Sequence, residues 1–207
     1  MLNKLIKSMA LFLCRNQIIH EDEIEIYEYG LELLLTSIFE ILAVLIISIC
    51  IGKLLITALF LLSFCCLRTF AGGFHASTNF KCFLTLLVVY AAFLSIDFLT
   101  NQSVYKSISI NFSIISEVIV LLLAPVGSEN KPLSVEEIKR YRFISIAIVS
   151  FETLVVFSLW FIPALLTKDV MLGVSFGQLT AAVSLIAVKI INVVRSNKNE
   201  TIKSGND

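Results

Sequence analysis

The chain has 207 residues, of which 57% are hydrophobic and 15% charged, and its mean hydropathy is +0.91. Soluble domains carry about 25% charged residues, so this composition excludes an ordinary soluble domain, and it also excludes disordered, collagen-like and coiled-coil chains. The 16 Lys and Arg balance the 16 Asp and Glu. A net charge of zero argues against a nucleic acid partner, because binding to phosphates needs a basic surface. Together these observations predict an all-α polytopic membrane protein.

The first segment, residues 1–19, has apolar residues at helical spacing and basic residues between them. This pattern predicts an amphipathic helix that lies on the membrane surface. A cleavable signal peptide is the competing interpretation. It is disfavoured because we find no convincing small-residue cleavage site and because acidic residues follow at Glu21–Glu23.

Six apolar stretches follow, and each is predicted to be a transmembrane helix, since a span needs roughly 20 apolar residues. The predicted spans are approximately 30–51, 54–67, 83–99, 108–124, 143–166 and 170–194. Residues 30–67 are divided at Gly52 and Lys53, because one unbroken helix would be about 57 Å long, nearly twice the hydrocarbon thickness. The whole chain, 1–207, is expected to form a single membrane domain.

The basic residues predict the orientation, because cytoplasmic segments of membrane proteins are enriched in Lys and Arg. With six spans, 13 of the 16 basic residues fall on the side of the two termini. The opposite side has three, Lys53, Lys106 and Lys168. Both termini and the second and fourth loops are therefore expected in the cytoplasm.

The second cytoplasmic loop, residues 68–82, combines Arg68, the pair Gly72 and Gly73, His75 and Cys82. One interpretation is a connecting loop, in which the glycines turn the chain. A second is a Cys-His hydrolase, because a thiolate is a strong nucleophile and a nearby His can take the thiol proton. A third is a metal site, which is weak because zinc needs three or four ligands and two are present.

Four glutamates fall within the predicted spans, where ionisable groups are costly and often functional. Glu32 lies at the cytoplasmic start of the first span, so it either orients His75 or pairs structurally with a neighbour such as Arg68. Glu40, Glu117 and Glu152 lie deeper, where a hydrogen-bonded packing role is the favoured interpretation.

Two stretches of the chain resemble the AgrB family of accessory gene regulator proteins. The first is the pattern Arg68-x-x-x-Gly72-Gly73-x-His75-Ala76…Cys82. The second runs over residues 124–142, in which Ser134 followed by Glu137 also predicts the start of a short helix through a capping box. The resemblance covers nearly the whole chain.

This resemblance implies a membrane cysteine endopeptidase that removes the C-terminal part of a small AgrD-like quorum-sensing propeptide. An acyl-enzyme thioester then closes a thiolactone or lactone ring. The resemblance implies Cys82 as the nucleophile and His75 as its base, with Glu32 as an orienter or third member. Arg68, Gly72 and Gly73 are expected to contact the substrate or oxyanion or to support the site structurally.

The implied partners are the propeptide, the lipid bilayer and, by resemblance alone, a second copy in a homodimer; no cofactor, metal or nucleic acid is expected. The alternative function is a small transporter or peptide exporter without covalent catalysis. Its supporting feature is the set of deep carboxylates Glu40, Glu117 and Glu152, and the absence of an internal repeat counts against it.

Overall fold

Residues 2–73, 79–101, 104–127, 134–162 and 167–204 are described by a computed structural model. Secondary structure within these ranges is entirely helical, which confirms the all-α prediction. In chain order the helices are α1 (Leu2–Arg15), α2 (Ile24–Cys50), α3 (Leu54–Ala71), α4 (Asn79–Leu99), α5 (Tyr105–Leu123), α6 (Val135–Ser158) and α7 (Thr167–Ser204). Short 3-10 turns precede α2 and follow α6.

Six of these helices, α2 to α7, are long and apolar enough to cross a membrane. The protein is therefore a multi-pass membrane protein, and the prediction of six spans is confirmed. The chain divides into two compact units, Met1–Ile47 and Ser48–Asp207. The first contains α1 and most of α2, and the second contains the end of α2 and the remaining helices; a single membrane domain stays a prediction.

The break predicted between the first two spans is present. Helix α2 ends at Cys50 and α3 begins at Leu54. Gly52 between them has a φ of +69°, a conformation that costs glycine little and other residues more. A hydrogen bond from the Lys53 N–H to the Ser48 carbonyl O (2.8 Å) closes the turn.

Several helices extend past the predicted spans. Helix α3 continues to Ala71, so Arg68 lies in its last turn and not in a loop. Helix α6 begins at Val135, ahead of the predicted span at 143, and α7 continues beyond 194 to Ser204. The bilayer limits the length of an apolar stretch but not the length of a helix, which continues into polar surroundings where its residues favour it.

The last helix, α7, is the centre of the second unit. Residues 171–178 are all buried, and α7 contacts α3, α4, α5 and α6. A Cβ atom at Gly173 would lie 2.8 Å from the Ile56 carbonyl O, and one at Gly177 would lie 2.7 Å from the Phe60 carbonyl O. Small residues four positions apart let two membrane helices approach this closely, so the backbones of α3 and α7 are in direct contact.

One end of the second unit contains the three lysines that the charge count separates from the others, and we call it the lysine end. Lys53 and Lys168 both form ion pairs with Asp97, at 2.8 and 3.2 Å. Lys106 donates to the carbonyl O of Trp160 (2.7 Å). The hydrogen bond to Asp97 raises the pKa of the Lys53 ammonium. The ion pair between Lys53 and Asp97 joins the turn between α2 and α3 to the end of α4.

Replacing both Lys53 and Lys168 is expected to destabilise the protein more than replacing Asp97, the carboxylate that pairs with both. Asp97 is 3% exposed, and the double variant Lys53→Gln/Lys168→Gln leaves its charge buried without either lysine, at a cost of about 3 kcal/mol. Asp97→Asn removes the buried charge together with both ion pairs. Unfolding in detergent micelles measures the difference, and a double variant as stable as Asp97→Asn would contradict it.

Candidate active site

The end of α3 that carries the candidate residues is shaped by Arg68 and Gly72. Gly72 has a φ of +83° and donates its N–H to the Arg68 carbonyl O (3.2 Å), which ends the helix. The Arg68 guanidinium lies over the ring of Phe64, 5.4 Å from its centroid, a cation–π arrangement. Arg68 is therefore held by the helix that precedes the loop.

Gly72 packs directly against the second sequence stretch that carries the family resemblance. The Val126 N–H donates to the Ala71 carbonyl O (3.0 Å), and a Cβ atom at Gly72 would overlap the Val126 carbonyl O. The structure thus brings together two stretches that are far apart in the sequence. We call this part of the second unit, with Gly72, Gly73 and Val126, the glycine end.

Gly73 packs against the central helix. A Cβ atom at Gly73 would lie 2.9 Å from the Ser184 Oγ and 3.4 Å from the Arg68 Cγ. The Ser184 hydroxyl donates to the Ala181 carbonyl O of α7 (2.7 Å), so it has a hydrogen bond within its own helix. The packing around both glycines therefore leaves no space for a side chain at either position, so the chain is held in place as far as Gly73.

Gly72→Ala is expected to destabilise the protein more than Gly52→Ala. Both glycines have positive φ, so both substitutions carry a backbone strain of about 1 kcal/mol. Only at Gly72 does the added Cβ also meet a backbone oxygen, since nothing lies within 4 Å of a Cβ at Gly52. Melting temperatures of the two variants in micelles test this, and equal losses would show that the contact with Val126 is unimportant.

Cys82 lies at the end of the first turn of α4, which begins at Asn79, and it is half-buried. His75 lies outside the described residues, so the distance between these two side chains stays untested. Glu32 is half-buried in α2 and belongs to the first compact unit. Its role as orienter or third member stays a prediction.

Two mid-span carboxylates have the packing role that the sequence predicted. The Ser150 hydroxyl donates to Glu117 Oε1 (2.8 Å), and the Ser63 hydroxyl donates to Glu152 Oε2 (2.8 Å). Each bond joins two helices inside the bundle, α5 to α6 and α3 to α6. The feature that favoured a transporter is thus explained, at these two positions, by interhelical hydrogen bonds.

The sequence analysis did not identify the residues that support the glycine pair. Ser184 belongs to a row of small residues on α7 that also includes Gly173, Gly177 and Ala181. Their spacing of three or four places them on one helix face. This row could therefore have predicted that α7 packs closely against another part of the chain. Val126 carries no such signal, because its contribution is made by backbone atoms.

Among the described residues, no group of three or more His, Cys, Asp or Glu side chains could hold a metal ion. The sequence-based metal interpretation, which used His75 and Cys82, falls partly outside those residues.

Comparison with known proteins indicates the same family as the sequence motifs. The family "Accessory gene regulator B" matches residues 6–191. An AgrB-like protein 1 of Clostridium perfringens is 24% identical over 171 residues, covering 80% of this chain and 90% of that protein. Accessory gene regulator protein B of Staphylococcus aureus strain JH9 is 26% identical over 132 residues, covering 64% of this chain and 69% of that protein. No solved structure matches the chain at a significant level. With a match that extends over nearly its whole length, the chain belongs to the accessory gene regulator B family.

Proposed function

We propose that the protein is a membrane-embedded cysteine endopeptidase that cleaves a small AgrD-like propeptide and closes its product into a ring. Family membership implies a part in accessory gene regulator quorum sensing. The cleavage and ring closure are our proposal. It rests on one observation: the matched region, residues 6–191, includes the single segment where Arg68, the glycine pair, His75 and Cys82 occur together.

In the proposed first step, His75 takes the proton of the Cys82 thiol, and the thiolate attacks the carbonyl carbon at the cleavage site. The C–N bond then breaks, the leaving amine takes the proton from His75, and the C-terminal part of the propeptide departs. The backbone N–H groups at the start of α4, where Cys82 lies, favour negative charge close to them.

In the proposed second step, a thiol or hydroxyl within the bound peptide attacks the thioester. The bond to the Cys82 sulfur breaks, a thiolactone or lactone forms, and the proton lost by the attacking thiol or hydroxyl passes to the Cys82 sulfur. A thioester keeps much of the activation of the acyl group, so ring closure needs no ATP. A partly buried site slows the competing attack by water.

The contacts of the glycine pair favour structural support as its role in this mechanism. Gly72 packs on Val126 and Gly73 on Ser184, which leaves little of either residue to contact a substrate. Arg68 remains the proposed contact for the peptide. Glu32 remains the proposed orienter of His75 or third member of the site.

We propose that the site faces the cytoplasm, because the second loop lies on the same side as 13 of the 16 basic residues. There an amphipathic propeptide could lie along the membrane surface and present its cleavage site to Cys82. A homodimer is part of the proposal through family resemblance alone.

Reconstitution of the full chain in liposomes with the propeptide encoded beside it tests this function. Mass spectrometry should find a C-terminal fragment and a ring peptide, and an acid quench should trap an acyl adduct on Cys82. An unmodified propeptide that has crossed the membrane would support the transporter alternative. An unmodified propeptide that stays outside would contradict both functions.

A further inference from the structure

A cleft of about 520 Å³ lies between α3 and α6, and neither Gly72 nor Gly73 lines it. Its α3 wall includes Leu62 and Cys66, and its α6 wall includes Phe143, Ala147 and Phe151. Ala147 is exposed, and Leu62, Phe143 and Phe151 are 62–75% exposed. Both helices are membrane spans, so the cleft opens toward the hydrocarbon of the bilayer. Its volume is in the range of ligand pockets.

The polar atoms of this cleft already bond to one another. The Ser63 hydroxyl donates to Glu152 Oε2 (2.8 Å) and lies 3.1 Å from the Val174 carbonyl O. The remaining lining is apolar apart from the Cys66 thiol. The cleft therefore fits an apolar occupant, since a polar one would lose its own hydrogen bonds on entry.

Two basic residues lie just beyond the cleft at the glycine end. Lys139 and Arg140 are both exposed, and they precede Phe143 and Ile144 of the cleft wall by one helical turn. Residues four apart share a helix face, so the two charges continue the cleft face about 6 Å further along the axis. That step is similar to the thickness of the headgroup region on one side of a bilayer.

An aromatic pair joins the two walls at this end. The rings of Phe70 on α3 and Tyr141 on α6 have centroids 6.2 Å apart. The cleft is thus bounded by aromatic rings at the level where its apolar lining ends and the basic residues begin. Aromatic residues commonly occupy this interfacial level in membrane proteins.

We propose that the cleft between α3 and α6 binds an anionic phospholipid. One acyl chain lies in the cleft and the phosphate lies at Lys139 and Arg140. Apolar grooves with basic residues at their headgroup end recognise anionic lipids through this combination of contacts. This inference does not depend on the proposed peptidase activity.

Lipid binding to the full-length protein in micelles tests the proposal, with native mass spectrometry as the readout. Phosphatidylglycerol is expected to bind about tenfold more tightly than phosphatidylcholine with the same acyl chains. Ala147→Phe fills the cleft and is expected to weaken binding of both lipids about tenfold. Lys139→Gln/Arg140→Gln is expected to remove the preference for phosphatidylglycerol and to leave phosphatidylcholine binding unchanged.

Matched control variants separate the cleft from general effects. Ala92→Phe adds the same side chain at an exposed alanine of α4, and Lys189→Gln removes an exposed charge from α7. Both controls are expected to bind lipid as the unmodified protein does. If Ala147→Phe melts like Ala92→Phe and still binds phosphatidylglycerol normally, the cleft is not the site.

A second measurement needs no substitution. Cys66 lines the cleft, whereas Cys50 is exposed at the end of α2. Phosphatidylglycerol is expected to slow alkylation of Cys66 by a membrane-soluble maleimide at least fivefold and to leave Cys50 unaffected. Protection of Cys66 by the propeptide, but not by phosphatidylglycerol, would overturn the assignment to a lipid.

Discussion

Replacing Cys82 with alanine or serine is expected to abolish propeptide cleavage, a loss of about 10⁴-fold or more. Alanine provides no nucleophile. Serine provides one whose proton is much harder to remove, so a site suited to a thiolate does not activate it. Cleavage is measured as the rate of release of the C-terminal fragment in liposomes, at equal amounts of folded protein. Normal cleavage by Cys82→Ala would overturn the proposed mechanism.

The matched control replaces Cys14, Cys50 and Cys65 with alanine and keeps Cys82. Cys14 and Cys65 are half-buried and Cys50 is exposed. Cys66 is left in place because it lines the cleft between α3 and α6. This triple variant is expected to retain most of its activity, and a folded but inactive triple variant would move the nucleophile away from Cys82.

Gly177→Leu is expected to prevent stable folding, at a cost of about 4 kcal/mol or more. A Cβ atom at this position would already lie 2.7 Å from the Phe60 carbonyl O and 2.8 Å from the Ser63 Cβ. The leucine can be accommodated only if α3 and α7 separate, and this also moves Ser63, whose hydroxyl bonds to Glu152. The fraction of protein that stays monodisperse on heating in micelles measures the loss.

Gly30→Leu is the matched control for this substitution, since Gly30 also lies in a membrane helix but has nothing within 4 Å of a Cβ atom. Leucine there is expected to be neutral or slightly stabilising, because glycine is a poor helix former. Equal melting temperatures for Gly177→Leu and the unmodified protein would show that α3 and α7 do not depend on close backbone contact.

The fold class was predictable because transmembrane helices have long apolar stretches with few charged residues. Local features were predictable as well: Ser134 and Glu137 form the expected capping box, with the Ser134 N–H donating to Glu137 Oε2 (2.8 Å) and the Glu137 N–H to Ser134 Oγ (3.2 Å). The length of an apolar stretch did not by itself predict whether it forms one helix or two. Helix α7 is as long as the stretch 30–67 that we divided, and the difference lies in Gly52, which turns the chain there.

The arrangement of the candidate site was less predictable because its contacts join distant parts of the chain. Arg68, Gly72 and Gly73 were recognised by residue type and spacing. Their packing on Val126 and Ser184 depends on how α3, α5 and α7 assemble. Spacing within a single segment carries no information about such contacts. The pairing of His75 with Cys82 stays a prediction.

The buried position of α7 also affects the biosynthesis of the protein. A ribosome releases spans in chain order, so α7, which contacts α3, α4, α5 and α6, is inserted after all four of them. Until then, the face of α3 that receives Gly173 and Gly177 is exposed to lipid or to other proteins of the membrane. A nonsense mutation between α6 and α7 should therefore be as damaging as one before α3, and quality-control proteases should remove a bundle that lacks α7.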